Sequence, residues 1–143
     1  VRPVPAQAVE LARRFEGFER QAYICPAGFW TIGYGHLCEP HHPAITEAEG
    51  EAYLAQDLET ALRAVLRYCP ALTLEDPGKL SAIVDFAFNL GTGRLVASTL
   101  RRKINAKSWR EAAQELRRWV WGGGRKLPGL ILRREAEAIL LLG

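Results

Sequence analysis

The sequence predicts an α+β fold, mostly helical, with one small β segment near the N-terminus. Three observations carry this. Residues 20–37 gather β-branched and aromatic residues around a Pro-Ala-Gly turn signal. Elsewhere, apolar residues recur at three- and four-residue spacing in segments bounded by capping residues, proline or glycine. The 143 residues are 48% apolar and 24% charged, which excludes a disordered or fibrous chain and allows a real core.

Val9, Ala12 and Phe15 share one side of a helix over 6–15, which stops at Gly17. Tyr23-Ile24-Cys25 and Phe29-Trp30-Thr31-Ile32 flank Pro26-Ala27-Gly28, the pattern of a β-hairpin, and a third short strand is expected near Gly35-His36-Leu37. Residues 39–43 read as a loop. Thr46-Glu47-Ala48-Glu49 fits a capping box, in which Thr46 takes a free helix N–H and Glu49 reaches back. Leu54, Leu58, Leu62 and Val65 then run at helical spacing to residue 67. Asp76-Pro77 opens the next helix, with proline in the first turn where its missing N–H costs nothing. Leu80, Ile83, Val84 and Ala87 form its buried stripe, and Gly91 closes it. A short helix over 98–104, a helix from Ser108 to about Trp121, a flexible Gly122-Gly123-Gly124 loop and a last helix over 130–141 complete the chain. One domain over 1–143 is expected. It has a β-bearing lobe over about 16–45 and a helical lobe over about 46–143 that includes the N-terminal helix.

Charge is uneven. Residues 1–100 carry 8 Lys/Arg and 12 Asp/Glu, whereas residues 101–143 carry 11 and 4. A basic last third suits a polyanion such as nucleic acid, an anionic membrane or a cell wall, and it equally suits solvated helix faces. Trp109, Trp119 and Trp121 lie among Arg110, Arg117, Arg118 and Arg125. That pattern can stack on nucleic acid, but core aromatics with a basic rim are the expectation, with no nucleic-acid partner. The last helix sets Leu130, Ile131, Ala138 and Leu141 against Arg133 and Arg134, a candidate contact with an anionic membrane surface. The apolar run Ala138 to Gly143 is far short of the roughly 20 residues that span a bilayer. No signal-peptide core follows Val1, and no Met occurs, so the natural start is expected upstream or removed. Cys25, Cys38 and Cys69 are an odd number, which argues against a disulfide framework; Cys38 and Cys69 can pair or stay free. Cys38, His41 and His42 lack further ligands at metal spacing, so no metal is expected.

The segment from Glu16 to His36 carries the chemistry. Glu16 ends the first helix between Phe15 and Phe18. Apolar neighbours and the negative helix end both favour its protonated form, as a general acid requires. In a strand, alternation puts Thr31, Gly33 and Gly35 on one face and Ile32, Tyr34 and His36 on the other. The first face is a hydroxyl and two glycines, the floor of a groove or a tight packing surface. Cys25 lies across the turn from Thr31.

The order Glu16, eight residues, Cys25, five residues, Thr31 resembles the catalytic pattern of the phage lysozyme (endolysin) family, muramidases of the glycoside hydrolase family 24 type. Thr31-Ile32-Gly33-Tyr34-Gly35-His36 resembles that family's T-x-G-x-G-H strand. The likeness continues through Phe86–Gly91, Ser98-Thr99-Leu100, Ser108–Ala113, Gly123–Leu130 and Arg133-Arg134-Glu135. It implies a lysozyme-like fold with a cleft between the lobes. It also implies hydrolysis of the β-1,4 bond between N-acetylmuramic acid and N-acetylglucosamine in bacterial peptidoglycan. Glu16 is then the general acid, and inversion follows when water attacks from the opposite face. Thr31 holds that water, and Cys25 stands where many members carry Asp. A thiol there can act as a weak base, orient the water or attack the sugar itself. Gly35 and Leu37 are expected on the β side of the cleft, with Phe88 and Asn89 on the helical side. Asn89 suits an acetamido group, Phe88 suits a sugar face or plain core, and His36 suits a hydrogen bond that fixes the hairpin. The resemblance further implies a monomer without cofactor, encoded by a phage and made in the host cytoplasm. It acts on periplasmic peptidoglycan after release through a separate membrane hole or with a lost upstream segment. A lytic transglycosylase and a non-catalytic basic protein that binds wall or membrane are the alternative readings.

Overall fold

A computed structural model describes residues 2–143. The chain runs α1 (Ala6–Glu16), β1 (Glu19–Ile24), β2 (Trp30–Gly33), β3 (His36–Leu37), α2 (Glu47–Tyr68), a 3-10 turn (Pro70–Leu74), α3 (Pro77–Leu90), α4 (Thr92–Val96), α5 (Thr99–Asn105), α6 (Trp109–Leu116), β4 (Trp121–Gly122), β5 (Arg125–Lys126) and α7 (Pro128–Leu142).

Local chemistry explains the boundaries near the site. Gly17, at φ +68°, takes a conformation that other residues avoid and turns the chain out of α1. The first three strands form an antiparallel sheet in order β1-β2-β3, with Tyr23 opposite Thr31 and Thr31 opposite Leu37. The turn between β1 and β2 closes with Cys25 N–H on Phe29 O at 2.9 Å and Gly28 N–H on Cys25 O at 2.8 Å. The capping box of α2 is complete: Glu49 N–H donates to Thr46 Oγ1 at 3.1 Å, and Thr46 N–H to Glu49 Oε1 at 2.9 Å. Asp76 caps α3 by accepting from Lys79 N–H at 3.1 Å.

Helix α3 is the centre of the molecule. It packs against α1, α2 and α7, and Leu80, Ile83, Val84 and Phe86 are fully buried. The core around it draws on all the larger helices. The expected stripe is present, but α3 also buries Asp85 and Ser81.

Three expectations change, and two short elements are added. The helix from Ser108 stops at Leu116 rather than near Trp121, because the chain turns to set Trp119 edge-on against Phe86, ring centroids 5.6 Å apart. Gly122-Gly123-Gly124 is not a flexible loop. It spans a tight hairpin in which Trp121 faces Lys126, and Gly123 and Gly124 both have positive φ, as a two-residue turn of that hand requires. Helix α4 and the 3-10 turn are five residues each, too short to register as a period. Arg133 and Arg134 do not line a membrane-facing surface; both are buried. The exposed apolar side chains of α7 are Ile131, Leu132, Ile139 and Leu142. Among the described residues, no helix is long and apolar enough to cross a membrane.

Candidate active site

Glu16 ends α1 and lies directly against the turn between β2 and β3. A Cβ added to Gly35, which has φ +73°, would sit 2.6 Å from Glu16 Oε1. Glycine is required there twice over, by conformation and by space. The strand alternation expected through Gly35 breaks at Gly33, where φ becomes positive and β2 ends. Gly33 therefore packs under Ile45 and Gly50, and only Gly35 borders the acid. The apolar frame expected around Glu16 is also incomplete. Arg133 Nη1, from α7, donates to Glu16 Oε2 at 2.5 Å. Oε1 accepts no hydrogen bond among the described residues.

Cys25 and Thr31 come together across the hairpin. Thr31 is buried, and its hydroxyl donates to Phe29 O at 3.0 Å. The Cys25 thiol is held below its ordinary pKa, chiefly by the backbone N–H of Phe29 and also by the Thr31 hydroxyl and the N–H groups of Ala27 and Gly28. These groups raise the thiolate share of Cys25 relative to an isolated cysteine, against the opposing effect of burial. Tyr23, two residues before Cys25, lies near both ends of the site. Burial pushes its phenol up first, then the charges of Glu16, Glu19 and Cys25. All three thiols are free; Cys69 is fully buried and pushed up to about 11.

Two hollows lie beside Gly35 and Glu16 respectively. One, of about 280 Å³, is lined by Gly35, His36, Leu37, Asp57, Ala87 and Phe88 among others. The second, of about 270 Å³, is lined by Phe15, Glu16, Asn89, Leu127, Leu130 and Arg133 among others. Phe88 and Asn89, consecutive on α3, therefore line one hollow each, and Gly35, which lines the first, lies against Glu16, which lines the second. His36 Nδ1 pairs with Asp57 at 2.8 Å and stacks on Tyr53 at 4.2 Å, so it ties the sheet to α2. His41 and His42 pack on Trp30 and Tyr53.

Behind the site runs a ladder of charges between α3 and α7. Arg133 Nε and Nη2 donate to the two oxygens of Asp85, both at 2.8 Å. Arg134 Nη2 donates to Asn89 Oδ1 at 2.7 Å and to Glu137 Oε2 at 2.9 Å. With Oδ1 engaged, the Asn89 amide N–H groups are left as donors. Burial works against the charge on Asp85, but Arg133 outweighs it and holds that carboxyl low. Glu137 is pushed well up by burial and by its hydrogen bond to Asp85.

A family model described as Phage lysozyme matches residues 13–137. The chain belongs to the phage lysozyme family. It is a lysozyme-type glycoside hydrolase, a muramidase acting on peptidoglycan. Within the family it is similar to the endolysin of Acyrthosiphon pisum secondary endosymbiont phage 1, 34% identical over 142 residues and covering 96% of both chains. It is also 34% identical to the endolysin of Bacillus phage B103 over 94% of this chain, and spans 52% of that longer protein. The muramidase domain of SpmX from Asticaccaulis excentricus superposes with a TM-score of 0.89 at 32% identity, covering 100% of this chain and 99% of that one. The fold is accordingly the lysozyme-like α+β fold.

In this phage lysozyme fold the seven residues singled out from the sequence fall into two groups, and Cys25 and Thr31 line neither hollow. Glu16 meets Gly35, and Cys25 meets Thr31. Gly35, Leu37 and Phe88 share one hollow, and Glu16 and Asn89 the other. Sequence reasoning missed Tyr23, Asp85 and the part played by Arg133 and Arg134. The available signal was Asp85 within an apolar stripe, together with two arginines at the buried spacing of the last helix. Buried charges of that kind are paired.

Proposed function

We propose that this phage lysozyme cleaves the β-1,4 bond between N-acetylmuramic acid and N-acetylglucosamine, with Glu16 as general acid. One observation carries the reading: Glu16, which lines one hollow, has one oxygen held by Arg133 and the other beside Gly35, which lines the second hollow. A proton on Oε1 passes to the leaving glycosidic oxygen. A water held by Thr31 and Cys25 attacks the anomeric carbon from the other face and gives its proton to the Cys25 thiolate or to solvent, inverting the configuration. Asn89 donates to an acetamido carbonyl, and Phe88 packs on a sugar face. Gly35 and Leu37 bound the same groove. Residues 1–143 work as one unit and as a monomer without cofactor, in a phage-encoded lysin that meets peptidoglycan after release from the host cytoplasm.

Product analysis on purified sacculi tests this. Glu16→Gln is expected to lose activity by at least about a hundredfold, whereas Cys25→Asp retains it. Parent-rate clearing by Glu16→Gln rules out the acid. Mass spectrometry separates the chemistries: a reducing end marks hydrolysis, and an anhydro end marks transglycosylation.

A further inference from the structure

Arg133 is a shared guanidinium. Three of its donors are spent on two carboxyls: Nε and Nη2 on Asp85, Nη1 on Glu16. The Arg133 side chain is 4% exposed and that of Asp85 0%, so water screens neither. A lone guanidinium in such a setting stabilises a carboxylate at hydrogen-bond distance. That favours the wrong state for a group that must deliver a proton. Asp85 places a full negative charge on the far side of the same guanidinium. The Arg133–Asp85 pair is then neutral as a unit and meets Glu16 as a directed donor rather than as a whole cation.

We infer that Asp85 is a positioning residue for the reaction: it neutralises Arg133, so that Arg133 aims the Glu16 carboxyl without fixing it as a carboxylate. This rests on the reading of Glu16 as the acid. The groups facing each other are few. Glu16 faces Arg133 from α7 and Tyr23 from β1. Asp85 faces Arg133, Arg134 and Glu137, all from α7. Arg134 spends Nη2 on Asn89 and Glu137 and makes no hydrogen bond to Glu16 among the described residues. The bidentate geometry matters as well: it fixes the guanidinium plane, and hence the direction of Nη1.

A mere clamp between α3 and α7 would show the same contacts, so the test reads the pH dependence of turnover. The full chain is assayed on soluble glycan strands from purified peptidoglycan, with circular dichroism to check folding. In Asp85→Asn the charge of Arg133 falls on Glu16 alone. Its kcat is expected to drop about tenfold near neutral pH, with KM near the parent value, and the alkaline limb of kcat moves down by about one pH unit. The double variant Asp85→Asn/Arg133→Gln removes both charges and leaves no buried ion unpaired. Its alkaline limb moves above that of Asp85→Asn. A folded Asp85→Asn whose limb stays in place, or moves up, overturns the inference, even if its melting temperature falls. If Asp85→Asn does not fold, the double variant decides by comparison with the parent: a limb within about half a pH unit of the parent position upholds a pair that is neutral towards Glu16, and one that moves up by about a unit or more, as the loss of a whole cation does, overturns the inference. Parent-rate hydrolysis by Glu16→Gln is a different failure, which removes the acid itself. An unmoved limb beside an inactive Glu16→Gln removes only the role of Asp85.

Discussion

Gly35 shows how much a single missing side chain does here. It is glycine because φ is +73° and because a Cβ would meet Glu16 Oε1 at 2.6 Å. Gly123 has φ +60° but nothing within 4 Å of an added Cβ. The pair separates strain from obstruction. Alanine at either position costs about 1–2 kcal/mol of stability through the backbone. Only Gly35→Ala displaces the acid, and its kcat on peptidoglycan is expected to fall about a hundredfold, as an ångström of misplacement can do. Gly123→Ala keeps parent kcat. Equal kcat in the two variants, with equal melting temperatures, would detach Gly35 from the chemistry. The contacts Glu16–Gly35 and Cys25–Thr31 join residues of one short stretch, which a resemblance to a family pattern could single out, whereas strand alternation misplaced Gly33 because β2 ends there. The Arg133 contact was not legible in the sequence, because it reaches Glu16 across 117 positions of chain, and no local pattern reports such a contact.

At the scale of elements, legibility followed length and capping. Helices α2 and α3 were readable from Thr46-Glu47-Ala48-Glu49 and Asp76-Pro77, whose side chains do bond the free N–H groups. The five-residue elements carry neither signal. The end of α6 was misread because Trp119 continues the apolar spacing while the chain has already left the helix. The end of α7 is held by a device that spacing does not announce. Lys79 Nζ, from α3, donates to Leu141 O at 2.7 Å and Gly143 O at 3.0 Å, and lies 5.1 Å from the centre of the Trp109 ring. A cation on the otherwise unpartnered last carbonyls of a helix is stabilising, and here it also joins α3, α6 and α7. Lys79→Met keeps the apolar stem and removes the donors. Urea unfolding is expected to show a loss of about 1.5–3 kcal/mol, the range for hydrogen bonds to a charged group. A loss below about 0.5 kcal/mol would mean that water replaces Lys79 at those carbonyls without cost.

Across the whole molecule, the sheet supplies the thiol, the hydroxyl and Gly35, α1 the acid, α3 the sugar-facing side chains and α7 the guanidinium. The ladder Glu16–Arg133–Asp85–Glu137–Arg134–Asn89 ties three of these together, with three carboxyls and two cations. Of the three, Glu137 is the one that burial and Asp85 push well above the usual carboxylate range. A raised carboxyl means that the native state binds a proton more readily than the unfolded state does. Its contribution is therefore full below the unfolded value, about 4.3, and is lost as pH rises towards the native value. Asp85, held low, has the opposite sign: its contribution is present above about 3.9 and is lost as pH falls. Glu137→Gln mimics the protonated carboxyl and cannot ionise. Measured by thermal unfolding from about pH 4 to about pH 8, its stability relative to the parent is expected to climb with pH, while Glu137→Ala, which empties the site, lies below Glu137→Gln by about 1–3 kcal/mol at every pH. A Glu137→Gln difference that stays flat over that range would show that the native carboxyl ionises as readily as in the unfolded chain, so that Arg134 and Arg133 outweigh burial at this site.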